Sequence, residues 1–277
     1  NVPSERASVE DTYSRIIQDL KDAILLLNVN QISVYRPSKS AAYGVLARVY
    51  LSMRKYELAG KYADSCLQLY NTLLDYNTLN ANSSQPIAAL NSETIVFTYA
   101  GNWGPLSNSI AKVDSTLYSS YDSNDLRKII FFKSNNNGTY GFKGTYSGNS
   151  AQFTGIATDE VYLMRAECFA REGNTVAAMN DLNTLLITRW KSGTFVPFSA
   201  ANAVDALNLI LKERRKELLY RELRWMDIKR LNKEGAKIIL KRNINGQTYI
   251  LQPGDLRYAL PIPEDIIAIT GMQQNLR

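Results

Sequence analysis

The chain has 277 residues, 45% of them hydrophobic and 21% charged, with a formal net charge of +6 and no histidine. The missing imidazole excludes Ser-His-Asp and Cys-His nucleophile chemistry, His metal sites and His proton shuttles, and leaves a pair of carboxylates as the simplest catalytic option. Two cysteines, Cys66 and Cys168, are too few for a disulfide framework or a Cys-rich zinc site and read as core thiols.

No run of about 18 apolar residues marks a membrane-spanning helix. The opening Asn1-Val2-Pro3-Ser4 has no initiator Met and no leader pattern, which reads as a processed protein or a fragment. The basic surplus sits in 203–242, where Lys and Arg alternate with acids as in Glu213-Arg214-Arg215-Lys216-Glu217. Alternating signs mark an ion-paired or solvated helix face, so no nucleic-acid partner is expected.

Residues 8–27 read as an amphipathic helix, with Ser8 as N-cap and Tyr13, Ile16, Ile17, Leu20, Ile24 and Leu27 at three-and-four spacing. Two helices follow, over 38–53 and 56–70. Small residues at Ala47, Ala59 and Ala63 allow a close antiparallel pair, with Tyr43 and Tyr50 filling the gaps, in the tetratricopeptide order of large and small positions. About 119 residues later Tyr162, Ala166, Phe169 and Ala178 repeat Tyr43, Ala47, Tyr50 and Ala59, with Gly173-Asn174-Thr175 in place of the turn Arg54-Lys55-Tyr56.

Between the copies, 71–150 is rich in Asn, Ser, Gly, Thr and Tyr and has no sustained helical period. Its aromatic content argues against disorder and for a functional insertion. Thr94–Tyr99 reads as a short strand and Asn135-Asn136-Asn137-Gly138 as a turn. Beyond the second copy, 203–233 reads as one long helix or two abutting ones, with Leu207, Leu211, Leu218, Trp225 and Ile228 on one face and Arg214 on the same stripe. A charge there needs a partner; Arg214 or Arg215 is expected to pair with Glu217, Glu222 or Glu167. Asn245-Gly246 centres a hairpin over 243–249, Leu260-Pro261-Ile262-Pro263 is extended, and Ile266 and Ile267 occupy a last turn.

Several of these segments resemble the SusD/RagB family. Tyr162-Leu163-Met164-Arg165-Ala166-Glu167 leading to Gly173-Asn174-Thr175 is similar to its repeat motif, and Glu213–Leu218 followed by Leu223–Arg230 to its late signature helix. Leu260–Pro263 with Gln274-Asn275 resembles its C-terminal ending, and Arg36–Ala42 the approach to a middle repeat. The resemblance implies a mainly α fold of tetratricopeptide-like repeats with a long, mostly irregular insertion, all of 1–277 forming one domain: a repeat region at 8–70, a ligand-binding insertion at 71–150, and a second repeat with the signature region at 151–277. It implies a non-catalytic surface protein of the outer membrane, held by a lipid anchor that this chain lacks. Such a protein uses no cofactor and hands a glycan or other nutrient to a SusC-like TonB-dependent transporter.

Sugars present apolar C–H faces and many hydroxyls, so their sites combine flat aromatic platforms with polar groups at the edges. The insertion offers Trp103, flanked by Gly and Pro, with Tyr99, Tyr118, Tyr121 and Tyr140 as further platforms and Asn102 as an edge group; Phe142, Tyr146 and Asn108 are weaker candidates. Each has a plain alternative in the local core or a turn. Asp114, Asp122 and Asp125 are the acids a hydrolase would have to recruit, although Asp122 and Asp125 also suit turn caps. Two other functional classes stay open at this level: a peptide-gripping repeat scaffold and a two-carboxylate glycosidase.

Overall fold

The computed structural model of the chain describes residues 6–29, 32–101, 104–107 and 110–277. In chain order the elements are α1 (Val9–Leu26), α2 (Lys39–Ser52), α3 (Tyr56–Leu69), β1 (Thr94–Val96), β2 (Tyr99–Ala100), α4 (Ser115–Ser119), α5 (Arg127–Phe131), β3 (Phe132–Ser134), β4 (Tyr140–Phe142), β5 (Gln152–Phe153) and β6 (Ile156–Ala157). Then come α6 (Thr158–Arg171), α7 (Thr175–Leu186), α8 (Ala203–Glu217), α9 (Arg224–Asn232), β7 (Leu240–Ile244), β8 (Gln247–Leu251) and α10 (Glu264–Thr270). Two compact units result, Leu20–Arg224 and Asn1–Asp19 with Trp225–Arg277. Among the described residues no helix is long and apolar enough to cross a membrane.

The repeat is visible in the larger unit to the residue: α6 starts 119 residues after α2, and α7 the same distance after α3. The turns match as well, since Arg54 (φ 61°) and Gly173 (φ 85°) take the same left-handed position after the first helix of each pair. That conformation is cheap for Gly and costs Arg of order 1 kcal/mol. The two pairs are split in sequence but stacked in space, with α3 packed on α6 and α8 closing the other side of α6.

Small residues make the seam. Ala47, Ala59, Ala63, Ala166 and Ala178 are all fully buried. A Cβ on Gly60 would stand 3.0 Å from Cys168 Cβ of α6, and one on Gly44 2.8 Å from Ile156 Cγ2 of β6, so one glycine is set by close helix approach and the other by a strand packed on α2. Cys66 and Cys168 are buried thiols in these seams, not joined in a disulfide, and burial pushes the Cys66 thiol up to about 12. Arg165 of α6 ties the seam at its edge, reaching Asp181 of α7 at 2.8 Å and Asp64 of α3 at 2.7 Å.

The insertion folds as a cap of short elements around an aromatic core that includes Tyr76, Tyr121, Phe131, Phe132, Phe142, Tyr146 and Phe153. The run Thr94–Tyr99 is not one strand: β1 pairs with β6, and β2 pairs with β5, on either side of a break where Phe97 N donates to Val34 O at 2.7 Å. Asn135–Gly138 does turn a hairpin, in which β3 and β4 pair Phe132 with Phe142 and Ser134 with Tyr140.

The stretch 203–233 is two helices. Tyr220 (φ 56°) and Glu222 (φ 59°) break it between α8 and α9. The buried residues of α8 are Ala206, Ile210, Glu213, Arg214, Lys216 and Glu217, so Leu207 and Leu211 lie at the margin. Arg215 pairs with Asp114 at 3.3 Å, on the surface, while Glu167 pairs with Arg171 and Glu217 with Arg127 and Arg189. The expectation for Arg215 is therefore corrected: its carboxylate partner is Asp114, while Glu217 and Glu167 are held by arginines outside α8.

Helix α1 is capped as its sequence suggests, Ser8 Oγ accepting from Asp11 N at 3.0 Å. It buries none of its residues completely; Tyr13, Ile17, Leu20 and Leu27 are half-covered.

In the smaller unit β7 and β8 form the expected hairpin, longer than its sequence signal. Ile244 pairs with Gln247 across Asn245-Gly246, both at positive φ (50° and 79°) as a type I′ turn requires. The two C-terminal motifs clasp each other. Gln274 closes a double hydrogen bond with the Ile262 backbone at 2.9 Å each way, and Asn275 Nδ2 donates to Leu260 O at 2.6 Å. Trp225 is 37% exposed and packs on Tyr258.

Candidate functional site

The hairpin β3–β4, helices α4 and α5 and the loop at 81–84 enclose a cleft of about 530 Å³. Its aromatic wall is Tyr118 and Tyr140, whose rings stack at 3.6 Å with 15° between planes, backed by Phe132 edge-on to Tyr118 at 5.4 Å. Local chain chemistry sets this wall. Asp114 caps α4 by accepting from Leu117 N at 3.0 Å, which holds Tyr118 on the first turn. The Asn-rich turn then returns β4 so that Val113 N donates to Tyr140 O at 2.8 Å. Burial and the adjacent Tyr140 phenol push the Tyr118 hydroxyl up to about 12, so Tyr118 is a neutral donor at ordinary pH.

Polar groups surround the aromatic pair: Asn82, Ser83, Ser84 and Ser134, with Lys128, Lys133 and Lys143. Lys128 Nζ sits 5.2 Å over the Tyr118 ring and donates to Tyr121 O at 3.0 Å. Lys143 Nζ donates to Ala81 O at 2.5 Å and Ser83 O at 3.2 Å, which fixes the loop that forms the rim.

A second recess of about 210 Å³ shares Lys143 with the first and is lined by Thr145, Asn149, Gln152 and the stacked pair Phe142–Tyr220. Gln152 is buried there, and its Oε1 accepts no hydrogen bond among the described residues. A buried acceptor of that kind costs about 1–3 kcal/mol unless water or a ligand hydroxyl meets it.

Of the residues singled out from sequence, Tyr118 and Tyr140 come together. Tyr99 stands apart, 60% exposed on β2 and tilted against Phe97 at 5.9 Å. Tyr121 is a correction: it is 2% exposed and its hydroxyl donates to Lys216 O at 2.7 Å, so it is a core residue with no face for a ligand. Phe142 and Tyr146 are likewise buried. Trp103, Asn102 and Asn108 lie outside the described residues.

The acids available to a hydrolase are bound up in structure. Asp122 caps a turn by accepting from Asn124 N at 2.8 Å. Asp125 is buried and held by Arg127 at 2.7 Å and Lys216 at 3.1 Å, which keeps its carboxyl below the usual range despite burial. It belongs to a larger interior network. Arg127 also meets Glu213 and Glu217 at 2.5 and 2.9 Å; Arg189 bridges Glu217 and Glu93, each at 2.7 Å; Arg221 meets Asp159 at 3.1 Å. Tyr146 donates to Glu93 Oε2 at 2.5 Å, and Arg189 and Arg221 lie over the Tyr76 and Tyr146 rings at 4.1 and 4.4 Å. This network fastens the insertion to α6 and α8. Among the described residues no group of three or more His, Cys, Asp or Glu is placed to hold a metal.

The sequence model described as the SusD family matches residues 69–276. The chain belongs to the SusD family. A second model, described as starch-binding associating with outer membrane, matches 1–51.

The SusD-type fold is shared with solved structures. A SusD superfamily protein from Bacteroides thetaiotaomicron is 25% identical over all of this chain and 71% of its own length, with a TM-score of 0.74. Another, from Bacteroides vulgatus, is 21% identical over 99% of this chain and 66% of its own, at 0.77. A laminarin-binding SusD-like protein is 21% identical over 97% and 69%, at 0.66. The chain thus spans about two thirds of the length of these relatives. No curated protein matches the sequence.

Proposed function

We propose that this SusD-family chain captures a glycan in the cleft walled by Tyr118 and Tyr140, at the outer face of the outer membrane, and passes it unaltered to a SusC-like TonB-dependent transporter. The observation that carries the reading is the stacked tyrosine pair inside a cleft rimmed by amide, hydroxyl and ammonium groups. Such a wall meets the C–H face of a sugar ring while the rim meets its hydroxyls. Capture without cleavage is supported by the chemistry of the lining, which contains no carboxylate. Glycosidases need two, about 5 to 10 Å apart.

The outer-membrane setting is supported by the matching model described as starch-binding associating with outer membrane, and the transporter by the resemblance of the repeat and signature motifs. The carbohydrate class is supported by the laminarin-binding relative. Tyr99, Asn102 and Trp103 are proposed as further contacts for a longer ligand, and 1–277 as one functional domain whose ligand-binding part is 71–150.

A glycan-array screen tests this, run with the purified chain and with Tyr140→Ala and Tyr118→Ala. Binding to at least one glycan is expected, weakened about tenfold in either variant, the value of one lost aromatic contact of about 1.4 kcal/mol. Binding that both variants retain in full would move the site away from this cleft. Recovery of an outer-membrane barrel protein with the tagged chain tests the transporter, and its absence from solubilised membranes would refute that part.

A further inference from the structure

We infer that the glycan held by this cleft is anionic, carrying uronate carboxylates or sulfate esters, with Lys133, Lys143 and Lys128 as the groups that select it. The inference deepens the reading above and rests on it. Its ground is a contrast in how the larger unit pairs its cations. Arg48, Arg127, Arg165, Arg189, Lys216 and Arg221 each meet a carboxylate within 3.1 Å. Among the described residues the three lysines of the cleft meet none: Lys128 and Lys143 donate to backbone carbonyls, and no Asp or Glu is among the residues that line the space.

The chain around them is also free of acids. From Leu126 to Thr158 it contains Arg127 and these three lysines and no Asp or Glu, and the acids at either end, Asp125 and Asp159, are buried in the interior network. With no carboxylate in its lining, the cleft can take a counter-charge from a ligand.

The ammonium groups are arranged to donate. An ammonium has three N–H donors. Lys143 spends two on Ala81 O and Ser83 O, and Lys128 one on Tyr121 O, so both are held in place by carbonyls with donors remaining. Lys133 is exposed on β3. Burial and the positive charge of Lys133 both pull the Lys143 ammonium below its ordinary range. Two like charges close together on an aromatic wall are costly until an anion bridges them. A neutral sugar would use the Tyr118–Tyr140 wall and leave that repulsion unrelieved. A uronate or sulfated sugar uses the wall and relieves it.

Titration calorimetry with three probes decides the matter: trigalacturonic acid, a chondroitin sulfate tetrasaccharide and neutral laminaritriose. One of the two acidic probes is expected to bind at least tenfold more tightly than laminaritriose, and which one separates carboxylate from sulfate recognition. That affinity should fall severalfold between about 50 and about 500 mM NaCl, as expected when partly exposed charges are screened. Lys133→Gln, at an exposed site with no ion pair to lose, should keep the melting temperature and weaken the acidic probe about fivefold. Lys143→Gln should weaken it further.

Equal affinity for laminaritriose and the acidic probes, insensitive to salt, overturns the inference and leaves glycan capture standing. Acidic binding that Lys133→Gln and Lys143→Gln both retain overturns the assignment to these lysines. A chain that binds none of the three probes overturns the inference; if it binds nothing on the array either, the glycan reading falls with it.

Discussion

In the interior of the larger unit, Arg127, Arg189, Lys216 and Arg221 meet Glu93, Asp125, Asp159, Glu213 and Glu217, whereas Lys128, Lys133 and Lys143 of the insertion meet no carboxylate among the described residues. Composition treats all of these as basic residues. Their surroundings separate them. A cation sealed from water must be paired, since an uncompensated buried charge costs several kcal/mol. A lysine on a cleft wall keeps enough water to stand unpaired, and is then available to a ligand.

These residues of the interior network set five carboxylates against four cations, and this surplus of negative charge favours the protonated form of two of the buried acids. Burial, with Asp159 and Glu217 nearby and only partly offset by Arg189, raises Glu93 to about 7; burial likewise raises Asp159.

The sharpest way to break the contrast is to remove one interior cation. Arg189→Met strips both Glu93 and Glu217 of a partner at zero solvent exposure. It should cost about 3–5 kcal/mol in denaturant unfolding, enough to leave the chain largely unfolded near physiological temperature. A loss below about 1 kcal/mol would show that the network does not hold the insertion in place.

The pH dependence of stability gives the next largest effect. Glu93 keeps its proton in the folded chain up to about 7, while the unfolded chain releases it near the ordinary 4.5. Its contribution is therefore fully present below the ordinary value and lost as pH rises toward 7, by about 1–3 kcal/mol. Asp125, Glu160 and Glu217 are shifted the other way, lowered by their arginines, and their contribution is lost as pH falls. Stability should fall on both sides of a maximum in the mildly acidic range. Glu93→Gln should flatten the branch between 4.5 and 7 and leave the acid branch, as read by urea midpoints across that range.

Smaller effects belong to the helix seam and the cleft. Gly60→Ala gains up to about 1 kcal/mol of helix propensity but places a methyl 3.0 Å from Cys168 Cβ, for a net loss of about 1 kcal/mol in melting experiments. Lys133→Gln should change stability by less than about 0.5 kcal/mol, since it breaks no ion pair, while altering ligand affinity. A large stability loss there would place Lys133 with the structural cations.

How much of this was legible from the sequence follows the same division. The repeat was legible because its signal is local: small residues at Ala47, Ala59, Ala166 and Ala178 and a turn at Gly173 recur in one register. Asn245-Gly246 named its turn for the same reason. The stripe of α8 was misplaced because most of it is ionic. A search for apolar residues selects Leu207 and Leu211, while the buried positions include Glu213, Arg214 and Glu217, two of whose partners, Arg127 and Arg189, arrive from other elements.

In the insertion, aromatic content pointed to Tyr118, Tyr121 and Tyr140 alike. The short helix α4 ends between the first two, and Tyr121 falls inward. The lysines were missed because the charge surplus was sought in 203–242, although the acid-free stretch from Leu126 to Thr158 was there to be read.

The most direct test of the central claim, that the cleft at Tyr118 and Tyr140 is where this SusD-family chain holds its glycan, is a crystal structure of the chain with the tightest-binding oligosaccharide from the array. The account predicts sugar density against the Tyr118–Tyr140 wall, with ligand oxygens within hydrogen-bond distance of Lys133 or Lys143. Density on another surface, with the cleft holding only solvent, would contradict it.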